Sequence, residues 1–243
     1  MTEQTPSIKP LRNVAAMATL MQRLETRLPG LEGMAVFYGP SGYGKTFAAT
    51  HCALVDPYAI HVVVQDVWTK RSFCEAILVE LGIKPKHTVT NLVNQVQEGL
   101  INSGRPLIVD EADRAAKRGM IEMIRDIHDN SGCPIILVGE ETLPQALMKW
   151  ERVHGRMLDW VAAEPADLQD AKLLAQHYAK GVEVGEDLLK KMVVETRGSI
   201  RRITVNCAQI REFGMRQGLD AVGVAEFTKP LFVGEPPKMR GLS

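Results

Sequence analysis

At 243 residues, with 45% apolar side chains and a mean hydropathy of -0.07, the chain has the composition of a folded protein rather than a disordered one. No run approaches the roughly 20 apolar residues of a membrane span, and the first residues carry no basic-then-apolar signal, so a cytoplasmic protein without a membrane partner is expected. The 29 basic and 29 acidic side chains cancel, which removes any case for nucleic acid binding from bulk charge and leaves only a local basic stripe to carry one.

Residues 1–10, with two prolines, read as a flexible lead-in. Residues 13–28 repeat Val, Met and Leu at helical spacing and stop at Pro29-Gly30. GMAVFYG (33–39) is a short apolar strand feeding a glycine-rich loop, and FAATHCALV (47–55) is the helix behind it. AIHVVVQD (59–66) is a second strand, followed by helices over 71–82 and 89–104. RPLIVDEAD (105–113) is a third strand, apolar until its carboxyl end. A helix over 118–132, a strand over 133–141, a helix over 143–155 and a fifth strand over 157–165 complete the pattern. This alternation predicts an α/β fold: a parallel central sheet with helices on both faces and its binding loops at the carboxyl ends of the strands.

After Pro165 the texture changes. Residues 166–181, 185–198 and 199–218 are helix-like and no strand stands out. The expected division is an α/β nucleotide-binding domain over 11–165, a helical lid over 166–227 and a Pro- and Gly-rich tail over 228–243. The four cysteines form no C-x-x-C pair and the six histidines no H-E-x-x-H motif, which argues against a disulfide scaffold or a zinc site.

The chemistry concentrates in GPSGYGKT, comprising Gly39, Pro40, Ser41, Gly42, Tyr43, Gly44, Lys45 and Thr46. It fits G-x-x-x-x-G-K-[ST] in the strand–loop–helix setting that the motif requires. Glycines let the loop turn so that backbone N–H groups face phosphate oxygens. Lys45 supplies a mobile positive charge, Thr46 a hydroxyl for Mg²⁺, and the following helix its positive end. PLIVDEAD supplies the complement: Asp110 to hold Mg²⁺ through its water shell, Glu111 to activate a water. The Asp-Glu pair favours ATP hydrolysis over transfer to a small acceptor, and no arginine-rich kinase lid is visible. Asp113 reads as a surface or cap carboxylate, and Trp68 as a core residue at a strand–helix junction.

With these motifs in hand, the sequence resembles the AAA+ ATPases, and among them the transposition-associated branch of the Mu phage B type. IKPLRNVAAMATLMQRL before FYGPSGYGKT, then PLIVDEAD, PIILVGEE and GRMLDWV, carry the likeness over nearly the whole chain. The resemblance implies ATP and Mg²⁺ as cofactors and assembly into a homo-oligomeric ring or helical filament. It places Asn13 and Val14 near the adenine and a γ-phosphate sensor at Glu140 or Thr142, where an Asn or Thr would be expected. It makes Arg156, with Arg152 as runner-up, the finger offered to a neighbouring subunit, and Arg201, then Arg202, the sensor of the helical lid. The N-terminal helix-turn-helix domain of Mu B proteins is expected to be missing, because only about ten residues precede the first helix.

The same resemblance turns two basic clusters, Lys70 with Arg71 and Arg114 with Lys117 and Arg118, toward double-stranded DNA. They suit phosphate contacts that position a duplex without reading bases. The implied function is an ATP-dependent DNA-binding protein that delivers target DNA to a transposase and disassembles on hydrolysis. Two alternatives stay open: a helicase-loader or replication-initiation ATPase, and a nucleotide-switched interaction module with no DNA role.

Overall fold

The computed structural model describes residues 10–55 and 59–234; residues 1–9 of the lead-in expected over 1–10, residues 56–58 and the end of the tail at 235–243 lie outside the described residues. By their contacts the described residues fall into two units, one within 10–41 and 45–163, the other of 42–44 together with 164–234.

In the first unit, helix α1 (Arg12–Glu25) buries Val14, Met17, Leu20, Met21 and Leu24, the face that its periodicity predicts. It ends at Glu25 rather than at residue 28, because Leu28 is exposed and gives the helix nothing further to bury. Strand β1 (Met34–Tyr38) runs into the glycine-rich loop and helix α2 (Lys45–Val55), which starts two residues before its expected position. Strand β2 (Ile60–Val63) leads to helices α3 (Lys70–Glu80) and α4 (Val89–Ser103), capped by the Thr69 and Thr88 side chains respectively. Strand β3 (Leu107–Asp110) follows. The expected helix over 118–132 begins only at Ile121, as α6 (Ile121–Ser131), and a short helix α5 (Ala112–Lys117) fills the space before it. Strand β4 (Ile135–Gly139) precedes helices α7 (Leu143–Leu147) and α8 (Glu151–His154), where a single helix was expected. They separate because Trp150 leaves helical geometry (φ -114°, ψ 76°) and packs against the core. Strand β5 (Met157–Ala162) closes the unit.

The five strands form one parallel sheet in the order β2-β3-β4-β1-β5. Alternation divides its side chains between two layers. Met34, Val36, Ile60, Val62, Leu107, Val109, Ile135 and Leu137 join the cluster built with residues of α3 to α8. The intervening residues, including Phe37, Ile108 and Val138, are buried outside that cluster, in the layer of α1 and α2. The predicted fold, a parallel sheet covered by helices on both faces, is therefore present. Its order puts β4 between β1 and β3, so three strand ends carry the loop, the Asp-Glu pair and the segment after Gly139 side by side.

The second unit contains helices α9 (Leu168–Tyr178), α10 (Glu186–Thr196) and α11 (Ile200–Gln217). An Asp167–Asp170 capping box starts α9, and Ser199 caps α11. The expectation of no strand here is corrected: β6 (Glu183–Val184) pairs in parallel with β7 (Ala221–Val222). Two-residue strands are too short to leave a period in the sequence. The described part of the tail docks on α11: Asn206, fully buried, donates to the Phe232 carbonyl at 2.9 Å and accepts its N–H at 2.8 Å.

Candidate functional site

The site grows from the strand ends outward. Gly39, the first residue past β1, donates its N–H to the Gly139 carbonyl at the end of β4 (3.3 Å), tying the loop's root to the neighbouring strand. Within the loop Gly42 and Gly44 adopt φ of 87° and 82°, conformations costly for any side chain with a Cβ, which explains the glycines at these two steps. The loop delivers Lys45 and Thr46 as the first residues of α2. Lys45 is buried, and its Nζ donates back to the carbonyls of Gly39 (2.7 Å) and Pro40 (3.0 Å). Burial pushes the Lys45 ammonium below its ordinary value, against the attraction of Glu140, Asp110, Asp113 and Glu111. One lysine thus sits within the field of four carboxylates.

Asp110 ends β3 and is almost fully buried. Burial alone would raise its carboxyl, but the His61 imidazole, the Thr46 hydroxyl and the Glu111 N–H outweigh it and hold the group below the usual carboxylate range. Its Oδ1 accepts that N–H at 2.8 Å. Its Oδ2 lies 3.7 Å from His61 Nε2, and both atoms are buried without a hydrogen-bond partner. An orphaned, ionised carboxylate oxygen beside a threonine hydroxyl is a suitable pair of donors for Mg²⁺, which usually takes one or two protein ligands and completes its shell with water and phosphate oxygens. With Lys45 and the loop amides, the donor set fits a Mg²⁺-bound nucleoside triphosphate.

Glu111 follows in the left-handed region (φ 56°, ψ 39°), one of two non-glycine residues with positive φ among the described residues. Its carboxylate is paired with Arg114 at 3.3 Å. Asp113 is not the surface or cap carboxylate that its position suggested: it is half-buried, and its Oδ2 accepts the Glu140 N–H at 2.7 Å, bracing α5 against the end of β4. Sequence reasoning also passed over His61. A signal was available there, since the register β2–β3 (His61 opposite Ile108, Val63 opposite Asp110) puts His61 and Asp110 on one face.

The remaining candidates are dispersed. Asn13 and Val14 are buried on α1, and Glu140 and Thr142 are exposed after β4. Arg156 is bound within its own chain, to Asp129 at 2.6 Å and Glu32 at 3.5 Å, whereas Arg152 is exposed on α8. In the second unit Arg201 is exposed and the Arg202 guanidinium lies against Gly234. Lys70 and Arg71 are exposed at the start of α3, Arg71 pairing with Glu75 at 2.8 Å; Lys117 and Arg118 are exposed at the end of α5. Arg114, half-buried, is turned into the first unit, and Trp68 packs on the core.

A glycine loop, its lysine and a strand-terminal Asp-Glu pair on a five-stranded parallel sheet define a P-loop nucleotide-binding domain of the AAA+ fold. A family profile described as an AAA domain matches residues 28–147, the stretch that holds both motifs. Among solved structures, Cdc6p from Pyrobaculum aerophilum is similar with a TM-score of 0.65 at 14% identity, over 91% of this chain and 66% of that one. The ORC1 protein of Aeropyrum pernix, solved in complex with DNA, gives 0.62 at 17% identity, over 91% of this chain and 65% of that one. The RuvB Holliday junction branch migration motor of Thermotoga maritima gives 0.58 at 19% identity, over 88% and 66%. The chain therefore spans about two thirds of the length of these structures. No curated protein matches it by sequence. Among the described residues no helix is long and apolar enough to cross a membrane.

Proposed function

We propose that the chain is an ATP-hydrolysing switch that assembles on double-stranded DNA and presents that DNA to a transposase. The observation that carries the ATPase part is the convergence of Lys45, Thr46, Asp110 and Glu111 at the carboxyl ends of β1 and β3, which flank β4. Mg²⁺, when bound, would neutralise phosphate charge and orient the terminal phosphoryl group. Lys45 would exchange its two carbonyl partners for phosphate oxygens, Thr46 and Asp110 would hold the ion, and the loop amides would orient the chain of phosphates. Glu111 accepts a proton as the water oxygen bonds to the terminal phosphorus and the bond to the bridging oxygen breaks. A guanidinium from a neighbouring subunit would stabilise the developing charge. Arg152 is exposed for that task, while Arg156 must first leave Asp129 and Glu32.

The DNA part is supported by the exposed Lys70 and Arg71 and by the sequence resemblance to transposition ATPases. The second reading, a replication-initiation ATPase, is favoured by the likeness to Cdc6p and ORC1. One set of measurements separates them. Lys45→Ala should abolish nucleotide binding, and Glu111→Gln should keep binding while trapping an ATP-dependent assembly visible by electron microscopy only with duplex DNA. Stimulation of strand transfer by a transposase supports the first reading; helicase recruitment without it supports the second. Particles indifferent to ATP and to duplex would overturn both, and undiminished hydrolysis by Glu111→Gln would remove that residue's role.

A further inference from the structure

The second unit holds a cleft of about 590 Å³ that the nucleotide chemistry does not use. It is bounded by the carboxyl half of α9, by β6 and by the start of α10, and the buried side chains of Ala175, Ala179, Val182 and Leu189 line its floor. The backbone of β6 leaves this cleft open for pairing. Glu183 donates its N–H to the Asp220 carbonyl at 2.7 Å, and Gly185 donates its own to the Val222 carbonyl at 2.9 Å. A strand directs the N–H and carbonyl groups of successive residues to opposite edges, so both groups of the intervening Val184 point away from β7. Val184 itself is half-buried and lines the cleft. We propose that the cleft docks an extended segment of a partner protein, which adds to β6 as a third strand at Val184, lays an aliphatic side chain on the alanine floor and brings a carboxylate to Lys180.

The side chains select this occupant. Ala175 and Ala179 stand one helical turn apart on one face of α9, and their small size lets a main chain lie close against the helix. Charge sets the polarity of the segment. Glu186, on α10, is already neutralised by Lys172 at 2.6 Å and Lys190 at 2.7 Å. Lys180 lies about two helical turns beyond Lys172, in the turn between α9 and β6. Its carbonyl is fixed by the Arg211 Nε at 2.9 Å, while its exposed ammonium forms no ion pair among the described residues. A carboxylate there gains a charge-assisted bond. A nucleic acid strand suits the cleft less well, because Glu183 and Glu186 border it and the open groups of Val184 are one backbone donor beside one backbone acceptor. Main-chain pairing supplies the affinity of such docking and the floor supplies its selectivity. Every residue involved belongs to the second unit, so the docking is independent of the ATPase reading of the first.

The test uses the full, nucleotide-free chain and the probe peptide acetyl-Asp-Val-Ile-Val-amide, followed by amide chemical shifts in solution NMR. Saturable shifts should appear at Lys180, Val184 and Leu189 and leave the first unit unchanged. Two further probes carry N-methyl groups on one or the other set of alternate residues. One set should abolish the shifts and the other should spare them, since only alternate N–H groups of an added strand face β6. Lys180→Glu, an exposed substitution, should weaken the acidic probe severalfold and favour the peptide with Lys in place of Asp. Ala179→Leu, which fills the floor, should block both peptides while the rest of the spectrum keeps its dispersion. If that variant misfolds, Lys180→Glu and the methylated probes decide alone. Absence of shifts at Val184 up to the solubility of the probe, the same response to both methylated forms, or equal shifts from a single-stranded oligonucleotide overturns the proposal.

Discussion

Gly139→Ala is a test of how tightly the end of β4 is built into the site. A Cβ at this position would fall on Asp113 Oδ2 and within 2.6 Å of Leu143 Cδ2. The carboxylate can escape only by giving up the Glu140 N–H that it accepts at 2.7 Å, a charge-assisted bond whose loss costs about 1.5–3 kcal/mol. Leu143, fully buried, must move as well, and overpacking of that kind adds about 1–3 kcal/mol. The expected destabilisation of about 2.5–6 kcal/mol is a large part of the roughly 5–15 kcal/mol that holds a domain folded. All three tryptophans, Trp68, Trp150 and Trp160, lie in the first unit, so fluorescence-monitored urea denaturation reports on that unit. The midpoint should fall at constant slope. Asp113→Ala removes both the bond and one of the clashing atoms, so Asp113→Ala/Gly139→Ala should cost less than the two single changes added together, by more than about 1 kcal/mol. An unchanged midpoint in Gly139→Ala, or additivity in the double variant, refutes this account of the Asp113 brace.

Replacing Asn206 by Ala in the second unit strips partners from both the N–H and the carbonyl of Phe232, a loss of about 1–3 kcal/mol, and limited proteolysis should then cut the segment around Phe232 sooner. An unaltered cleavage pattern would mean that Asn206 does not hold the tail. Among the cysteines, burial raises the thiols of Cys74, Cys133 and Cys207 to about 12 and raises that of the half-exposed Cys52 as well. The thiolate is the reactive form, so at mildly alkaline pH an alkylating agent should modify Cys52 first and the other three only as the chain unfolds. Mass spectrometry showing Cys133 modified as fast as Cys52 in the native protein would contradict that burial.

The sequence made the candidate nucleotide site legible for a physical reason. Lys45, Thr46, Asp110 and Glu111 sit where a strand must end and a turn must begin, and both the glycines and the abrupt change from apolar to acidic residues mark such points. What escaped were interactions between segments. Asp113 looked like a helix-start carboxylate because nothing local shows that Gly139 leaves room for it. His61 looked like an ordinary strand residue until register set it beside Asp110. Arg114 counted as one of three basic residues in DRAAKRG, although its pairing with Glu111 spans three residues of one helix and its bond to Val64 spans fifty. The break between α7 and α8 was hidden by a helical period that Trp150 interrupts in order to reach the core.

On the proposed reading, charge gives this site a reason to depend on assembly. Four carboxylates, Glu140, Asp110, Asp113 and Glu111, surround Lys45, and they outnumber one lysine and one divalent ion before any phosphate is added. At an effective dielectric constant of about 20, two like charges at about 4 Å oppose each other by about 4 kcal/mol, so a polyphosphate developing further negative charge in the transition state needs additional positive charge close by. The loop amides and the α2 dipole supply part of it. Arg114 cannot supply the rest, because it is turned toward Glu111, Val64 and Asp66. Nor can Arg156 without abandoning Asp129 and Glu32. On the proposed reading, the missing charge comes from an exposed arginine of an adjacent subunit, with Arg152 the better placed of the two candidates. Hydrolysis is then a property of the assembled form, and a chain that assembles on DNA acquires DNA-dependent turnover without any DNA contact at the nucleotide itself.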